Sequence, residues 1–223
     1  MAVAARSGMV TNWRGQLAGW ANHGAAKPLI FLLGLGPLAH WIWAGAQDAL
    51  GTNPAETLLR GSGLWTLRLL CLVLVVTPLC RWTGVAALGR FRRMIGLFAF
   101  FYATLHFLAY AWLDQGLELQ AILRDLAKRP FALLGFTAWV LMLPLAATSF
   151  DRAIRALGRA RWKTLHLLVH PAALAGLLHF VWMRASKNRA DETLVYAAIL
   201  ALLFVARWLH WHRRKSRPAV SVA

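Results

Sequence analysis

The stretch that decides the fold runs from residue 162 to residue 183 and is WKTLHLLVHPAALAGLLHFVWM. It is apolar and reaches the length of about 20 residues that a transmembrane helix needs, yet it contains His166 and His179. These histidines are thirteen residues apart, which is about 20 Å along a helix and most of a hydrocarbon core of about 30 Å. A third histidine, His106, lies in another apolar segment. Hydrocarbon gives an imidazole no partner, so intramembrane histidines indicate a functional site.

The composition indicates an integral membrane protein. The chain is 59% hydrophobic but has a formal net charge of +17, and its charges fall between apolar stretches. A soluble domain could not bury so much apolar surface, and a nucleic-acid-binding protein would place its basic residues on polar segments. We therefore predict an all-α protein that lies in the lipid bilayer. We do not expect it to bind nucleic acid. Its six transmembrane helices are expected at 28–47, 64–82, 94–113, 131–148, 162–183 and 193–211.

These spans define a simple domain organisation. Residues 1–27 form an N-terminal tail without the uninterrupted apolar core of a signal peptide, because Arg6 and Arg14 interrupt it. We expect this tail to be disordered or to lie on the surface. Residues 28–211 form one six-helix transmembrane domain, and residues 212–223 form a basic tail. The short connections leave no room for a second globular domain.

The distribution of basic residues predicts the orientation of the chain. The two tails and the connections 81–93 and 149–163 contain sixteen Lys and Arg residues, against seven in the three connections on the other side. Basic residues remain cytoplasmic by the positive-inside rule. Both termini are therefore predicted to be cytoplasmic.

With this orientation, His106 and His179 lie at similar depth towards the outer face, on two different helices. Two neutral imidazoles at one depth are the arrangement that ligates a b-type haem. The alternative is that each histidine hydrogen-bonds to a neighbouring helix or extends towards the interface. His166 lies near the cytoplasmic end of the same helix as His179. An ideal helix separates these two by about 140° around its axis, and Pro171 between them predicts a kink.

Arg92 occupies the place where a second haem would be expected to have a histidine. It precedes His106 by fourteen residues, which returns it to nearly the same helical face, opposite His166. Arginine is a poor iron ligand but binds carboxylates and phosphates through two hydrogen bonds. Three readings stay open: a haem on His166 with Arg92 on its propionate, a flavin phosphate on Arg92, or a simple cytoplasmic anchor.

Two further polar residues lie inside the spans. His170 is one turn from His166 and is an alternative ligand, but it has no partner at matching depth, so we favour a structural role. Arg68 lies one turn inside the outer end of the second span, where an unpaired charge is costly. It is expected either to contact a propionate of the outer haem or to extend towards the interface.

The motifs around these histidines resemble a known family. The runs RRMIGL at 92–97 and FFYATLH at 100–106, with WKTLH at 162–166 and LHF at 178–180, resemble the haem-binding membrane subunits MsrQ, formerly YedZ. That family belongs to the ferric-reductase-like transmembrane group, and the resemblance covers residues 28–211. It implies a six-helix bundle of b-cytochrome type in the bacterial inner membrane, with His106, His166 and His179 as its haem-associated histidines and Arg92 as an arginine linked to the inner site.

The resemblance also implies a role in electron transport. Such a subunit takes electrons from the quinone pool or from a cytosolic flavin reductase, through one or two b haems and with FMN left open. It passes them to MsrP, a periplasmic molybdopterin enzyme that repairs methionine sulfoxide in oxidised proteins. No catalytic residue is then expected on this chain. Two alternatives stay open: a transmembrane reductase of ferric chelates or quinones, and a haem-free scaffold or transporter.

Overall fold

The computed structural model of the protein describes residues 13–185 and 191–215, and all regular secondary structure in these ranges is helical. The first helix, α1, covers residues 13–22. The remaining helices are α2 (Ala26–Ala46), α3 (Pro54–Thr83), α4 (Arg92–Ala109), α5 (Leu119–Lys128), α6 (Pro130–Ala147), α7 (Asp151–Leu165), α8 (Val169–Ala185) and α9 (Asp191–Lys215). Short 3₁₀ helices, Ala86–Phe91 and His166–Leu168, precede α4 and α8, and a π-helical turn, Tyr110–Asp114, ends α4.

Six helical segments of the described chain are long and apolar enough to cross a membrane. Each of them overlaps one of the six segments expected from hydropathy, so the prediction of an all-α protein with six transmembrane helices is confirmed. Of the predicted tails, residues 1–12 and 216–223 lie outside the described residues. The described part of the N-terminal tail forms α1, and the Ala21 carbonyl there accepts a hydrogen bond from Nη1 of Arg90 at 2.8 Å.

The second span begins ten residues earlier than hydropathy predicts, at Pro54 rather than residue 64. A proline is favourable in the first turn of a helix because its missing N–H would have no partner there. The side chain of Asn53 caps the helix by accepting a hydrogen bond from the Glu56 backbone N–H at 3.1 Å. Because hydropathy detects only the apolar part of a helix, it misses this polar first portion.

The fifth span is interrupted, whereas a single helix with a kink was expected. Helix α7 contains a non-helical residue, Gly158, at φ 75°, and it is separated from α8 by the 3₁₀ turn at His166–Leu168. Pro171 explains the second interruption because it has no N–H for the carbonyl of Leu167 four residues earlier. A backbone N–H at the end of the 3₁₀ turn donates to that carbonyl, and Nδ1 of His170, 2.9 Å from its oxygen, donates to it as well.

The transmembrane helices pack mainly in two pairs, α3 with α4 and α6 with α8. Helix α4 also contacts α6, which joins the pairs, and α9 packs against α3 and α8. Tyr102 of α4 is fully buried, and its hydroxyl donates to the Gly34 carbonyl of α2 at 2.7 Å. Side chains of the α3–α4 pair and of the α6–α8 pair therefore meet in the interior of the bundle.

Candidate functional site

His106 is held against α3 at a glycine. Its Nδ1 lies 2.9 Å from the carbonyl oxygen of Leu59, and a Cβ at Gly63 would lie only 2.9 Å from Cε1 of the ring. Glycine is therefore needed at position 63 for the ring to approach the helix backbone. Since a carbonyl only accepts, Nδ1 must carry the proton, which leaves the lone pair on Nε2.

His179 is held against α6 in the same way. Its Nδ1 lies 2.7 Å from the carbonyl oxygen of Phe131, and a Cβ at Gly135 would lie 2.9 Å from that nitrogen. In both pairs of helices the accepting carbonyl belongs to the residue four positions before the glycine. Each pair thus presents one imidazole, fixed in the same tautomer, with Nε2 available as a ligand.

The two imidazoles meet inside one cavity between the helix pairs. Their ring centroids are 6.0 Å apart and their planes are inclined at 72°. The cavity has a volume of about 510 Å³ and is lined mostly by apolar side chains, a size typical of cofactor sites. The sequence prediction that His106 and His179 lie at similar depth on different helices is reproduced by this geometry.

This arrangement fits a haem better than a bare metal ion. Two imidazoles that ligate one metal from opposite sides through bonds of about 2 Å have ring centres about 6 Å apart. Within residues 13–185 and 191–215, no group of three or more His, Cys, Asp or Glu side chains is positioned to hold a metal ion. A haem needs only two axial ligands from the protein because its macrocycle supplies the others.

The mouth of the cavity is polar and contains ion pairs. The hydroxyl of Tyr110 donates to Oδ2 of Asp125 at 2.8 Å, and Nε of Arg129 lies 3.1 Å from Oδ1 of the same carboxylate. Two further arginines of the lining, Arg60 and Arg184, pair with glutamates. Helix α5, which hydropathy does not detect because it is amphipathic, supplies Asp125. The arginines give this mouth the donors that anionic substituents of a cofactor require.

His166 does not line this cavity. Its ring stacks on Trp162 with centroids 3.9 Å apart, and Nδ1 lies 3.1 Å from the Trp162 carbonyl oxygen. Nε2 therefore carries the lone pair, as in His106 and His179. The inner site that the sequence analysis assigns to His166 and Arg92 stays a prediction.

His170 has the structural role that the sequence analysis favours. Nδ1 donates to the Leu167 carbonyl, and Nε2 accepts a hydrogen bond from Nη1 of Arg207 on α9. Nη2 of Arg207 donates at 3.0 Å to the carbonyl of Leu74. Pro78 has no N–H to donate to that carbonyl four residues earlier, just as Pro171 has none for Leu167. Both nitrogens of His170 are thus engaged, which leaves no lone pair for iron.

Arg68 does not line the cavity between His106 and His179. Its Nε donates to the hydroxyl of Tyr196 on α9 at 3.0 Å, and its guanidinium lies over the ring of Trp65, 5.1 Å from the centroid. These contacts account for the charge without a cofactor, and the propionate contact expected from the sequence stays a prediction.

Sequence reasoning missed several residues of the site. Gly63 and Gly135 give no signal of their own, because the need for a glycine appears only when another helix brings a ring against it. Arg207 does give a signal, since it is a charge within the sixth predicted span. The acceptor carbonyls of Leu59 and Phe131 belong to the backbone and could not be found from side-chain identity.

The fold and the site together define a six-helix membrane protein of the ferric-reductase-like class. The sequence profile of the family described as Ferric reductase like transmembrane component matches residues 62–177, about half of the chain. Within that class, the curated relatives of this chain are named as haem-binding subunits MsrQ of protein-methionine-sulfoxide reductase. The chain belongs to the MsrQ family.

The similarity to these relatives extends over most of the chain. The relative from Polaromonas naphthalenivorans is 54% identical over 212 residues, which cover 95% of this chain and 97% of the relative. The one from Bordetella pertussis is 52% identical over 86% of this chain and 93% of the relative. The one from Xanthomonas campestris pv. campestris is 45% identical over 86% and 89%, respectively. No solved structure matches the chain.

Proposed function

We propose that this protein binds a b-type haem between His106 and His179 and conducts electrons across the membrane to a methionine sulfoxide reductase. The observation that carries the proposal is the pair of imidazoles 6.0 Å apart in a buried cavity, each fixed with Nε2 free. The names of the relatives, which describe haem-binding subunits of such a reductase, support it independently. The haem would supply reversible one-electron chemistry.

The protein side chains would have three tasks in this function. His106 and His179 would supply the axial ligands, and the carbonyls of Leu59 and Phe131 would orient the rings and raise their basicity through the Nδ1 hydrogen bonds. The apolar lining would exclude water and provide the low dielectric that helps to set the potential. The arginines at the mouth would pair with the propionates.

The partners follow the family resemblance and are part of the proposal. The electron acceptor would be a periplasmic molybdopterin enzyme of MsrP type, and the donor would be the quinone pool or a cytosolic flavin reductase. The protein would lie in the bacterial inner membrane with both termini in the cytoplasm.

A second haem on His166, with Arg92 at a propionate, would bring the electrons to the outer haem. The pyridine haemochrome stoichiometry distinguishes one haem from two, and the fluorescence of acid-extracted flavin tests for FMN.

The first test is a dithionite-reduced minus oxidised absorption spectrum of the purified protein after haem-replete expression. We expect a low-spin b-type spectrum that is lost in His106→Ala and His179→Ala. His40→Ala is the matched control because His40 is exposed on α2, and its spectrum should equal that of the wild type. An unchanged low-spin spectrum in His106→Ala would refute the ligand assignment. A flat wild-type spectrum would favour the haem-free scaffold, and reduction of ferric chelates without any response to MsrP would favour the small-acceptor reductase.

A further inference from the structure

The amphipathic helix α5 lies beside the mouth of the cavity that contains His106 and His179. We propose that α5 lies in the headgroup region of the bilayer and binds lipid acyl chains through Leu119 and Leu123. Its partner is thus the membrane surface and not a soluble molecule. The inference does not depend on haem binding, because Leu119 and Leu123 are not among the residues that line the cavity.

The apolar side of α5 is wider than the part that the protein covers. Asp125 and Leu126 line the cavity, and Leu126 is buried. Leu119 and Leu123 are one turn apart and share a side of the helix, but they are 68% and 57% exposed. Since successive residues turn by about 100°, Leu126 lies only about 20° from Leu119 around the axis. One apolar arc therefore continues from the cavity onto the uncovered surface.

The remaining side of α5 is polar and basic. Gln120, Arg124 and Lys128 are each one turn apart, and all three are exposed. Nε of Arg124 donates to the Gln120 carbonyl at 3.2 Å. An apolar arc opposite a basic polar side is typical of helices that lie in the plane of a membrane surface.

The connections on both sides of α5 keep it at the ends of the transmembrane segments. Only Arg129 separates its last residue, Lys128, from Pro130, the first residue of α6. Only residues 115–118 separate it from the end of the preceding span at Asp114. An extended chain covers at most about 3.6 Å per residue. Helix α5 therefore cannot leave the region in which these two spans reach the headgroups.

The connection before α5 extends the uncovered apolar surface. Trp112 and Leu117 are 68% and 63% exposed, and tryptophan is enriched at membrane interfaces. Leu117 has φ 62°, a left-handed conformation that is costly for a leucine. This conformation gives an exposed leucine no compensating contact in water, whereas a bilayer would bury its side chain. An apolar surface of this extent, continuous with two transmembrane spans, indicates acyl chains as its partner.

The test determines whether lipid or water surrounds each side of α5 in the full-length protein, reconstituted into nanodiscs of phosphatidylethanolamine and phosphatidylglycerol. A nitroxide is attached to the cysteine of Leu119→Cys, Leu123→Cys, Gln120→Cys or Arg124→Cys, each combined with Cys80→Ala. Electron paramagnetic resonance compares the relaxation caused by two probes. Oxygen concentrates in hydrocarbon, and nickel ethylenediaminediacetate is a polar complex that hydrocarbon excludes.

Two further proteins serve as controls. Leu133→Cys, on the exposed surface of α6, gives the ratio of oxygen to nickel relaxation for a side chain in lipid. The chain with Cys80→Ala alone measures any label taken up by Cys71, which is buried. The four labelled positions on α5 are all exposed, so their substitution leaves the packing of the helix unchanged.

We expect the ratio of oxygen to nickel relaxation at Leu119 and Leu123 to match that at Leu133. It should exceed the ratio at Gln120 and Arg124 at least about tenfold, because hydrocarbon excludes the polar nickel complex. Equal ratios on the two sides of α5 would place the helix in water and overturn the proposal. Exclusion of both probes from Leu119 and Leu123 would overturn it as well, since protein would then cover the leucines.

Discussion

At the scale of single residues, the proposed haem site depends on two glycines as much as on two histidines. Each imidazole reaches a backbone carbonyl only because the facing helix has no Cβ at Gly63 or Gly135. The resulting hydrogen bond fixes the tautomer, and the tautomer determines which nitrogen is available to iron. Each glycine thus determines, without contacting the proposed haem, that Nε2 is the histidine nitrogen available to iron.

This dependence gives a prediction for Gly63→Ala and Gly135→Ala. The added methyl group would collide with the imidazole and push Nδ1 away from its carbonyl, so haem affinity should fall by about 10–100-fold, as it does when outer-shell partners are lost. Haem content and the low-spin absorption signal of the purified variants measure the effect.

Gly96→Ala is the control for these variants. It also lies within a transmembrane helix, but its Cβ would meet Val73 at an ordinary 3.9 Å, and it should keep its haem. Full haem occupancy with an unchanged spectrum in both Gly63→Ala and Gly135→Ala would show that the glycines do not position the rings.

At the scale of helices, the hydroxyl of Tyr102 ties α4 to α2. It donates to the Gly34 carbonyl at 2.7 Å, and the Leu38 N–H donates to it at 3.3 Å. The hydroxyl therefore lies between a main-chain donor and a main-chain acceptor of α2. Tyr102→Phe leaves both groups without this buried partner. We expect the free energy of unfolding to fall by about 1–3 kcal/mol, measured by denaturation in mixed micelles.

Tyr196→Phe provides the comparison, because its hydroxyl serves Arg68 in a more exposed setting. That variant should lose clearly less stability than Tyr102→Phe. Equal losses of unfolding free energy in the two variants would mean that the hydroxyl of Tyr102 contributes no more to stability than an exposed hydroxyl does.

The helices also show how far the sequence alone predicts this fold. Hydropathy is sufficient for the six spans because each must be apolar over the thickness of a bilayer. It does not predict the polar start of α3, the amphipathic α5 or the break before α8. Those features depend on a cap at Asn53, on one-sided burial of residues such as Leu126, and on the N–H that Pro171 lacks.

For the site, the sequence predicts the pairing of His106 and His179, because depth follows from position within a span. It does not predict the separation of their rings, which depends on how α4 and α8 pack. Nor does it predict the partner of His170, because Arg207 lies on another helix and meets it only in the folded bundle.

At the scale of the whole molecule, the asymmetry of charge predicts the orientation in the membrane. Sixteen basic residues on one side against seven on the other predict, by the positive-inside rule, that both termini lie in the cytoplasm. A green fluorescent protein fused after residue 223 should fluoresce, and alkaline phosphatase inserted at Gly116, in the connection after α4, should be active. The opposite pattern of reporter activity would reverse the assignment of donor and acceptor sides.

The likeness of the two helix pairs has a consequence for biosynthesis. The first hairpin delivers His106, but His179 is translated 73 residues later, an interval of roughly four to fifteen seconds at about 5–20 residues per second. Throughout that interval the nascent chain has only one of the two histidines that would hold the haem proposed between His106 and His179. We therefore expect haem to bind at this site only late in biosynthesis, after α6 and α8 have both been translated. A chain truncated before residue 179 should therefore lack the low-spin signal of the haem proposed between His106 and His179.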